Sequence, residues 1–126
     1  MSPKSAPVAS LSVTALYLAH SVMELVLGAI KLRGTYSGLD MPPAAAKFAR
    51  HHGVSLISLS LLGFLVISRR LTQGATGELV SLVLACFHAG AVAVMIHALN
   101  VKVVLMHLPF AVGFAWHSFV ARKPGD

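Results

Sequence analysis

The sequence predicts an all-α integral membrane protein, a single domain over residues 1–126 built as a bundle of four transmembrane helices. Hydrophobic residues make up 56% of the chain and charged residues only 11%, whereas a soluble domain carries about 25% charged residues. Apolar runs long enough to cross a bilayer recur along the sequence. Most basic residues flank these runs, where cations meet lipid headgroups and water. We therefore expect a multi-pass protein whose first partner is the lipid bilayer.

The net positive charge of the chain does not indicate a nucleic-acid-binding protein. The formal charge is +6, but its cations are spread over the ends of the apolar runs and form no single basic face. Counting the cations of the predicted loops gives five on each side of the membrane, so the positive-inside rule favours neither orientation. We expect no nucleic-acid partner.

The first predicted span covers residues 8–30. Its apolar run is too long for the core of a cleaved signal peptide, so we expect it to remain as a helix.

This span contains the segment YLAHSVMELVLGAIK, in which His20 and Glu24 are four residues apart. On a helix the two side chains share one face, together with Tyr17 and Lys31. An ionisable residue at mid-membrane depth costs about 3 kcal/mol or more, so it faces a partner or a cavity in preference to lipid. The pair is the strongest candidate for direct function.

The second predicted span covers residues 43–68. Asp40 is a suitable N-cap, and Pro42 and Pro43 suit a first helical turn. The connection before it, KLRGTYSGLDMPP, is rich in turn residues. We expect an ordered turn or a partial lid over one end of the bundle.

The third and fourth predicted spans cover residues 79–99 and 101–120. Residues 72–78, TQGATGE, predict a short polar turn before the third span. A tight reversal around Asn100 joins the two spans. Pro109 should kink the fourth span unless a neighbour satisfies the carbonyl that it leaves without a donor.

Seven histidines in a chain with few polar residues are the main functional feature. Threading four antiparallel helices through a bilayer places six of them, with Glu24, in the half nearer the first and third loops. No arrangement of the helices points all seven inward, but a convergent subset would form a polar pocket. The residues that we assign to this pocket are Tyr17, His20, Glu24, His52, His88, His97 and His107.

Several polar residues have simpler interpretations. A single histidine within the membrane more often makes an interhelical hydrogen bond than binds a ligand. His117 lies near an interface, where headgroup contact is an adequate explanation. Ser55, Ser58 and Ser60 would bond to carbonyls of their own helix. Cys86 is expected to fill space in the core.

The leading functional hypothesis is a pocket for a hydrophobic small molecule, with acid–base turnover as an extension. Glu24 would donate or accept the proton and His20 would tune it. Such chemistry suits an isomerase, a cyclase or a hydrolase acting on a lipophilic substrate, although the sequence does not decide whether the protein is an enzyme.

Two other functions stay open. A haem- or quinone-linked redox subunit would use paired histidines at matching depth on facing helices. A structural subunit of a larger membrane complex would need no site at all. A metal site also stays open, although no H-x-x-H or H-E-x-x-H spacing supports it. Its ligands would be Glu24, His51, His97 and His107, and the metal is unknown.

The plan of the chain resembles the DoxX-like group of small four-helix membrane proteins. The likeness lies in ELVLGAIKLRG at the end of the first span, in the proline-bearing loop, and in FARHHGVSLISLSLLGFL. The start of that second helix departs from the group, because HHGVSLIS lacks the usual glutamate. The resemblance implies a four-helix bundle in a group linked to quinone-coupled oxidoreductases and redox-associated membrane complexes. A homo-oligomer is also expected, since so small a bundle has a large lipid-facing surface.

Overall fold

The computed structural model describes residues 9–36 and 39–121, with side chains for residues 12–34 and 41–119. This part of the chain is helical apart from one short hairpin, which confirms the predicted all-α class with four helices. The elements in chain order are α1 (Ala9–Leu32), β1 (Thr35–Tyr36), β2 (Leu39–Asp40), α2 (Pro43–Ser68), α3 (Gly74–His97) and α4 (Val101–Ala121).

Three of these helices are long and apolar enough to cross a membrane. They are Ser12–Leu32 within α1, α2 and α3, with mean hydropathies of 1.6, 1.6 and 2.4. Within the described residues α4 does not join this group; its 21 residues include Lys102, His107 and His117. The fourth membrane span therefore stays a prediction.

Helix α2 occupies the predicted range, but its predicted N-cap is wrong. An N-cap is the residue immediately before the first helical one, and α2 begins at Pro43. Asp40 lies three positions earlier, in β2. The carbonyl of Pro42 instead accepts the Ala46 N–H at 2.9 Å and starts the helical ladder.

The polar turn predicted over residues 72–78 is also too long, because α3 already begins at Gly74. Gly77 is buried in the first turn of this helix. A Cβ at Gly77 would overlap the carbonyl of Thr72, so the incoming chain folds tightly over that turn. The absence of a side chain, which made this segment look like a loop, is what lets the helix start there.

The chain divides into two compact units. We call Tyr17–Ser68 the α1–α2 unit, and the remaining described residues, which include Leu16, the α3–α4 unit. The prediction of one domain over the whole chain stays a prediction.

Within the α1–α2 unit the two helix backbones approach each other closely at paired glycines. A Cβ on Gly28 would lie 2.9 Å from the Gly53 carbonyl oxygen and 2.7 Å from Cγ1 of Ile57. A Cβ on Gly53 would in turn lie 2.8 Å from the Gly28 carbonyl oxygen. Small residues at such crossings let two helix backbones pack closely, which stabilises helix pairs in lipid, where the hydrophobic effect does not drive helices together. The two glycines therefore set the distance between α1 and α2.

The connection in this unit is an ordered hairpin. β1 and β2 pair antiparallel, with Thr35 opposite Asp40 and Tyr36 opposite Leu39. Gly34 precedes the hairpin with a φ of +70°, a conformation that glycine adopts at no steric cost. The expected ordered turn is thus present, and its role as a lid stays a prediction.

Within the α3–α4 unit the reversal between helices has a full set of caps. The Asn100 N–H donates to the Met95 carbonyl at 3.0 Å, and the Leu99 N–H to that of Ile96 at 3.0 Å. This is the Schellman pattern. The side-chain oxygen of Asn100 then accepts the Val103 N–H at 3.3 Å and caps α4. The predicted reversal at Asn100 is therefore both the end of α3 and the start of α4.

Helix α4 continues through Pro109 as one element. Four residues later Gly113 lies against the Leu16 side chain, whose Cδ1 would be 3.0 Å from an added Cβ. The beginning of α1 thus packs on α4 inside the α3–α4 unit.

Candidate functional site

The first candidate site is the His20–Glu24 pair on α1. Both side chains are fully buried, and 3.8 Å separates His20 Nε2 from Glu24 Oε1. Tyr17, one turn earlier on the same face, is also fully buried. The spacing of these residues in the sequence predicts their shared face, and the structure places that face in the interior.

Within the α1–α2 unit, a glycine of α2 leaves space for the side chains on this face of α1. A Cβ on Gly63 would overlap the Ser21 hydroxyl and would lie 3.6 Å from Nδ1 of His20. The Ser60 hydroxyl donates to the Ser21 carbonyl at 2.7 Å. Gly63 and Ser60 thus form the part of α2 that lies against His20 and Ser21. Gly63 was not among the residues predicted for the pocket.

Of the four serines of α2, the three near its middle do not all make the same kind of hydrogen bond. Ser55 and Ser58 donate to carbonyls four residues back in their own helix, as predicted. Ser60 does not, because its bond crosses to α1; the prediction for Ser60 was wrong. Since the residue type is the same, only the helix face distinguishes them.

His52 belongs to a separate contact at the end of α1. The Lys31 ammonium donates to His52 Nδ1 over 3.4 Å. Because Nδ1 accepts this bond, a neutral His52 carries its proton on Nε2. The Phe48 ring lies edge-on to the imidazole at 6.4 Å between centroids.

The second candidate site is the His88–His107 pair, which lies between α3 and α4. Nδ1 of His88 and Nδ1 of His107 are 2.8 Å apart, and both residues are buried. A hydrogen bond between two like nitrogens requires one to donate and the other to accept. The neutral pair therefore contains two different tautomers.

Phenylalanine rings surround this histidine pair. Phe110 and Phe114 stack on His88 with centroids 5.2 and 6.2 Å away. Phe87 stands edge-on to both imidazoles. Stacked and edge-on rings at these distances gain about 0.5–1.5 kcal/mol per pair beyond their burial. His107 and Phe114 are seven residues apart, so they share one face of α4, but this spacing does not by itself predict the ring cluster.

His117 forms a third polar contact in the α3–α4 unit. It is 3% exposed, and its Nδ1 lies 2.6 Å from the Ser81 hydroxyl. The interpretation of His117 as a residue in contact with headgroups was therefore wrong, and its position near an interface stays a prediction. Ser81 lies on the same face of α3 as His88, which was the one available indication in the sequence.

The other predicted residues lie at the surface. His97 is exposed at the end of α3, and His51 is exposed near the start of α2; the assignment of His97 to the pocket stays a prediction. Cys86 is exposed, so its assignment to the core was wrong. An outward-facing cysteine is compatible with an apolar helix whose outer surface is itself apolar.

Comparison of the chain with protein-family models, with curated proteins and with solved structures finds no match. The likeness to the DoxX-like group therefore stays a resemblance in sequence pattern.

The His20–Glu24 pair and the His88–His107 pair offer different chemistry. His20 and Glu24 combine a base and an acid within reach of one proton, a combination that suits general acid–base steps. His88 and His107 combine two bases joined by a hydrogen bond among aromatic rings, an arrangement that suits binding of a flat, weakly polar molecule. Neither pair lies on a loop, so both are held by rigid helices.

Proposed function

We propose that the protein is a multi-pass integral membrane protein that binds a hydrophobic small molecule beside His20 and Glu24 and exchanges a proton with it. The observation that carries the proposal is the complete burial of both side chains, 3.8 Å apart, in an apolar helix. A buried carboxylate is costly unless it is neutralised or paired. Ionisable residues that carry this energetic cost inside a membrane span are typical of functional sites.

The roles of the two residues follow from their chemistry. Glu24 is the proton donor or acceptor, and His20, four residues earlier, shares its proton and adjusts its proton affinity. The separation of 3.8 Å is longer than a hydrogen bond, as is common for catalytic groups before substrate binds. The reaction class is protonation and deprotonation of a lipophilic molecule, as in isomerisation, cyclisation or hydrolysis.

The surface of α1 supports a lipophilic ligand. Between Ala15 and Leu32 its exposed side chains are apolar, and the large ones are 40–53% exposed. A molecule that approaches this helix from the side therefore meets hydrocarbon before it meets a polar group. The residues concerned are Leu18, Val22, Leu25, Val26, Ile30 and Leu32.

Alkaline carbonate extraction tests the membrane part of the proposal. Peripheral proteins are released by this treatment, whereas a protein with three or more spanning helices stays in the membrane pellet. Release of the full chain into the supernatant would contradict the proposal at its first step.

Analysis of ligands that co-purify with the detergent-solubilised protein tests the site. We expect a hydrophobic molecule to be enriched in the wild-type extract and to lose that enrichment in Glu24→Gln, which cannot gain or lose a proton. Glu78→Gln is the matched control, because it removes the other glutamate of the chain. Equal ligand content in both variants would contradict a role for Glu24 in binding.

Deuterium uptake separates proton exchange from binding alone. A molecule bound in D₂O should acquire carbon-bound deuterium in the wild-type protein and not in Glu24→Gln. Binding without exchange in any variant would limit the function to that of a binding protein.

The second candidate function is a quinone- or haem-linked redox subunit. The stacked rings around His88 and His107 favour quinone, since a histidine N–H and phenyl faces suit a planar ring with carbonyl groups. A haem iron in line between the two Nδ1 atoms does not fit, because these atoms are 2.8 Å apart and such a metal needs about 4 Å, twice a bond of about 2 Å. An absorption spectrum of the purified protein distinguishes the candidates, since a haem protein shows a Soret band.

A further inference from the structure

We infer that the start of α2 binds the headgroup of an acidic phospholipid, in an open groove lined by Lys47, Arg50, His51 and Val54. The inference rests on the membrane-spanning part of the proposed function. It adds a specific lipid ligand at a position separate from His20 and Glu24.

The size of the groove suits a headgroup. Its volume is about 250 Å³, below the range of about 300–1,000 Å³ that is typical for drug-sized ligands. A whole phospholipid is too large for it, so the acyl chains must lie elsewhere. A ligand that enters the groove must therefore have a compact polar end.

The charge of the groove selects an anion. Lys47, Arg50 and His51 are spaced by three and four residues, so they share one stripe of α2. All three are exposed, and none of the four lining residues is acidic. An arginine fork binds phosphate oxygens in pairs, and a lysine adds a compact positive charge.

Gly34 contributes to the position of the arginine. An added Cβ there would lie 3.1 Å from one terminal nitrogen of Arg50 and 3.2 Å from its Nε. The guanidinium therefore lies over the backbone that leads into the β1–β2 hairpin. The guanidinium of Arg50, one of the lining residues, is thus held beside Gly34.

The same stripe of α2 becomes apolar beyond the groove. Val54, Leu61 and Leu65 are 57%, 55% and 54% exposed, and they follow the helical spacing of Lys47. Ser58 lies between them, and its hydroxyl is bonded to the Val54 carbonyl at 3.0 Å. From Val54 to Leu65 the helix rises about 16 Å, close to half of a hydrocarbon core of about 30 Å. The surface is therefore cationic and then apolar, in the same order as a phosphate headgroup and its acyl chain.

Native mass spectrometry of the detergent-purified full chain tests this inference. The probes are phosphatidylglycerol and phosphatidylcholine with identical acyl chains. We expect the wild-type protein to retain phosphatidylglycerol preferentially. The double variant Lys47→Gln/Arg50→Gln should bind it about 30-fold more weakly, because each basic residue near a membrane surface contributes about fivefold to binding.

Two further variants are the controls. Arg69→Gln/Arg70→Gln removes the same charge from exposed residues just after α2 and should leave retention unchanged. The exchange variant Lys47→Arg/Arg50→Lys keeps both charges and should also retain the lipid. Circular dichroism of each variant verifies that the helices are intact.

Each other outcome overturns the inference. Equal weakening in both double variants would mean general charge attraction, and equal retention of the two lipids would mean no headgroup selection. Competition by glycerol phosphate at the affinity of phosphatidylglycerol would indicate a site for free phosphate without an acyl contact. If the protein stays in the membrane pellet but shows no lipid preference, this inference alone is contradicted. If carbonate releases the protein, the proposed function is contradicted as well.

Discussion

The α1–α2 unit and the α3–α4 unit hold their helices together in opposite ways. In the first, Gly28 and Gly53 bring two backbones into direct contact, and a serine hydroxyl bonds across the gap to a carbonyl. In the second, the rings of Phe114 and His88 fill the space between α3 and α4. The first unit cannot accept added atoms at its crossing, and the second cannot lose atoms from its core. Their polar pairs differ as well, an acid with a base in one and two bases in the other.

Removal of a ring should have the largest effect. Phe114 is fully buried, so Phe114→Ala leaves a cavity and should lower the free energy of unfolding by about 3–4 kcal/mol. Phe119→Ala is the control, because Phe119 is 77% exposed and its loss leaves no cavity. Reversible unfolding in a denaturing detergent series measures both. Equal effects would contradict ring packing as the basis of the α3–α4 unit.

Addition of atoms should have the next largest effect, and in the other unit. Gly28→Val places a side chain against the Gly53 carbonyl and should cost about 2–3 kcal/mol. Gly90→Val in α3 is the matched control, since no atom lies within 4 Å of a Cβ there. The same unfolding series compares them. A neutral Gly28→Val would show that α1 and α2 can separate without loss.

A smaller effect is expected from the histidine bond. His107→Leu leaves the buried Nδ1 of His88 without the partner at 2.8 Å and should cost about 2 kcal/mol. The double variant His88→Phe/His107→Leu removes both polar groups and should recover part of that loss. A double-mutant cycle should give a coupling of about 1 kcal/mol. Additive single effects would mean that the two imidazoles do not interact.

The smallest expected effect lies in the helix connections. Leu99 has a φ of +52°, a conformation that costs a residue with a Cβ about 1–2 kcal/mol. Leu99→Gly should therefore raise the free energy of unfolding by about 1 kcal/mol. Gly34 has the same sign of φ in the other unit, so Gly34→Leu should change stability in the opposite direction. Two shifts of equal sign would contradict backbone strain as their cause.

The fold was more predictable than the contacts. The range of α2 follows from Pro43 and the apolar run behind it, and the face shared by His20 and Glu24 follows from a spacing of four. The start of α3 was missed because Gly74 and Gly77 have the composition of a turn, although the first turn of a helix needs no apolar side chain. Local patterns report helices well because helices are local.

The contacts depend on which helix faces meet, and spacing within one helix does not contain that information. Ser58 and Ser60 have the same side chain, yet only Ser60 lies on the face that meets α1. His88 and His107 meet because the reversal at Asn100 brings two helices side by side in one register. A prediction of that bond would have required the register as well as the periodicity of each helix.

The bond between two Nδ1 atoms gives the His88–His107 pair a direction. When a proton enters at Nε2 of the donating ring and another leaves from Nε2 of the accepting ring, the shared proton shifts from one Nδ1 to the other and no atom heavier than hydrogen moves. The two tautomers are then exchanged, and the pair points the other way. A second passage in the same direction has to wait for a ring to turn over among the stacked phenyl groups. The pair would therefore conduct one proton and then keep its exchanged tautomers until a ring turns over.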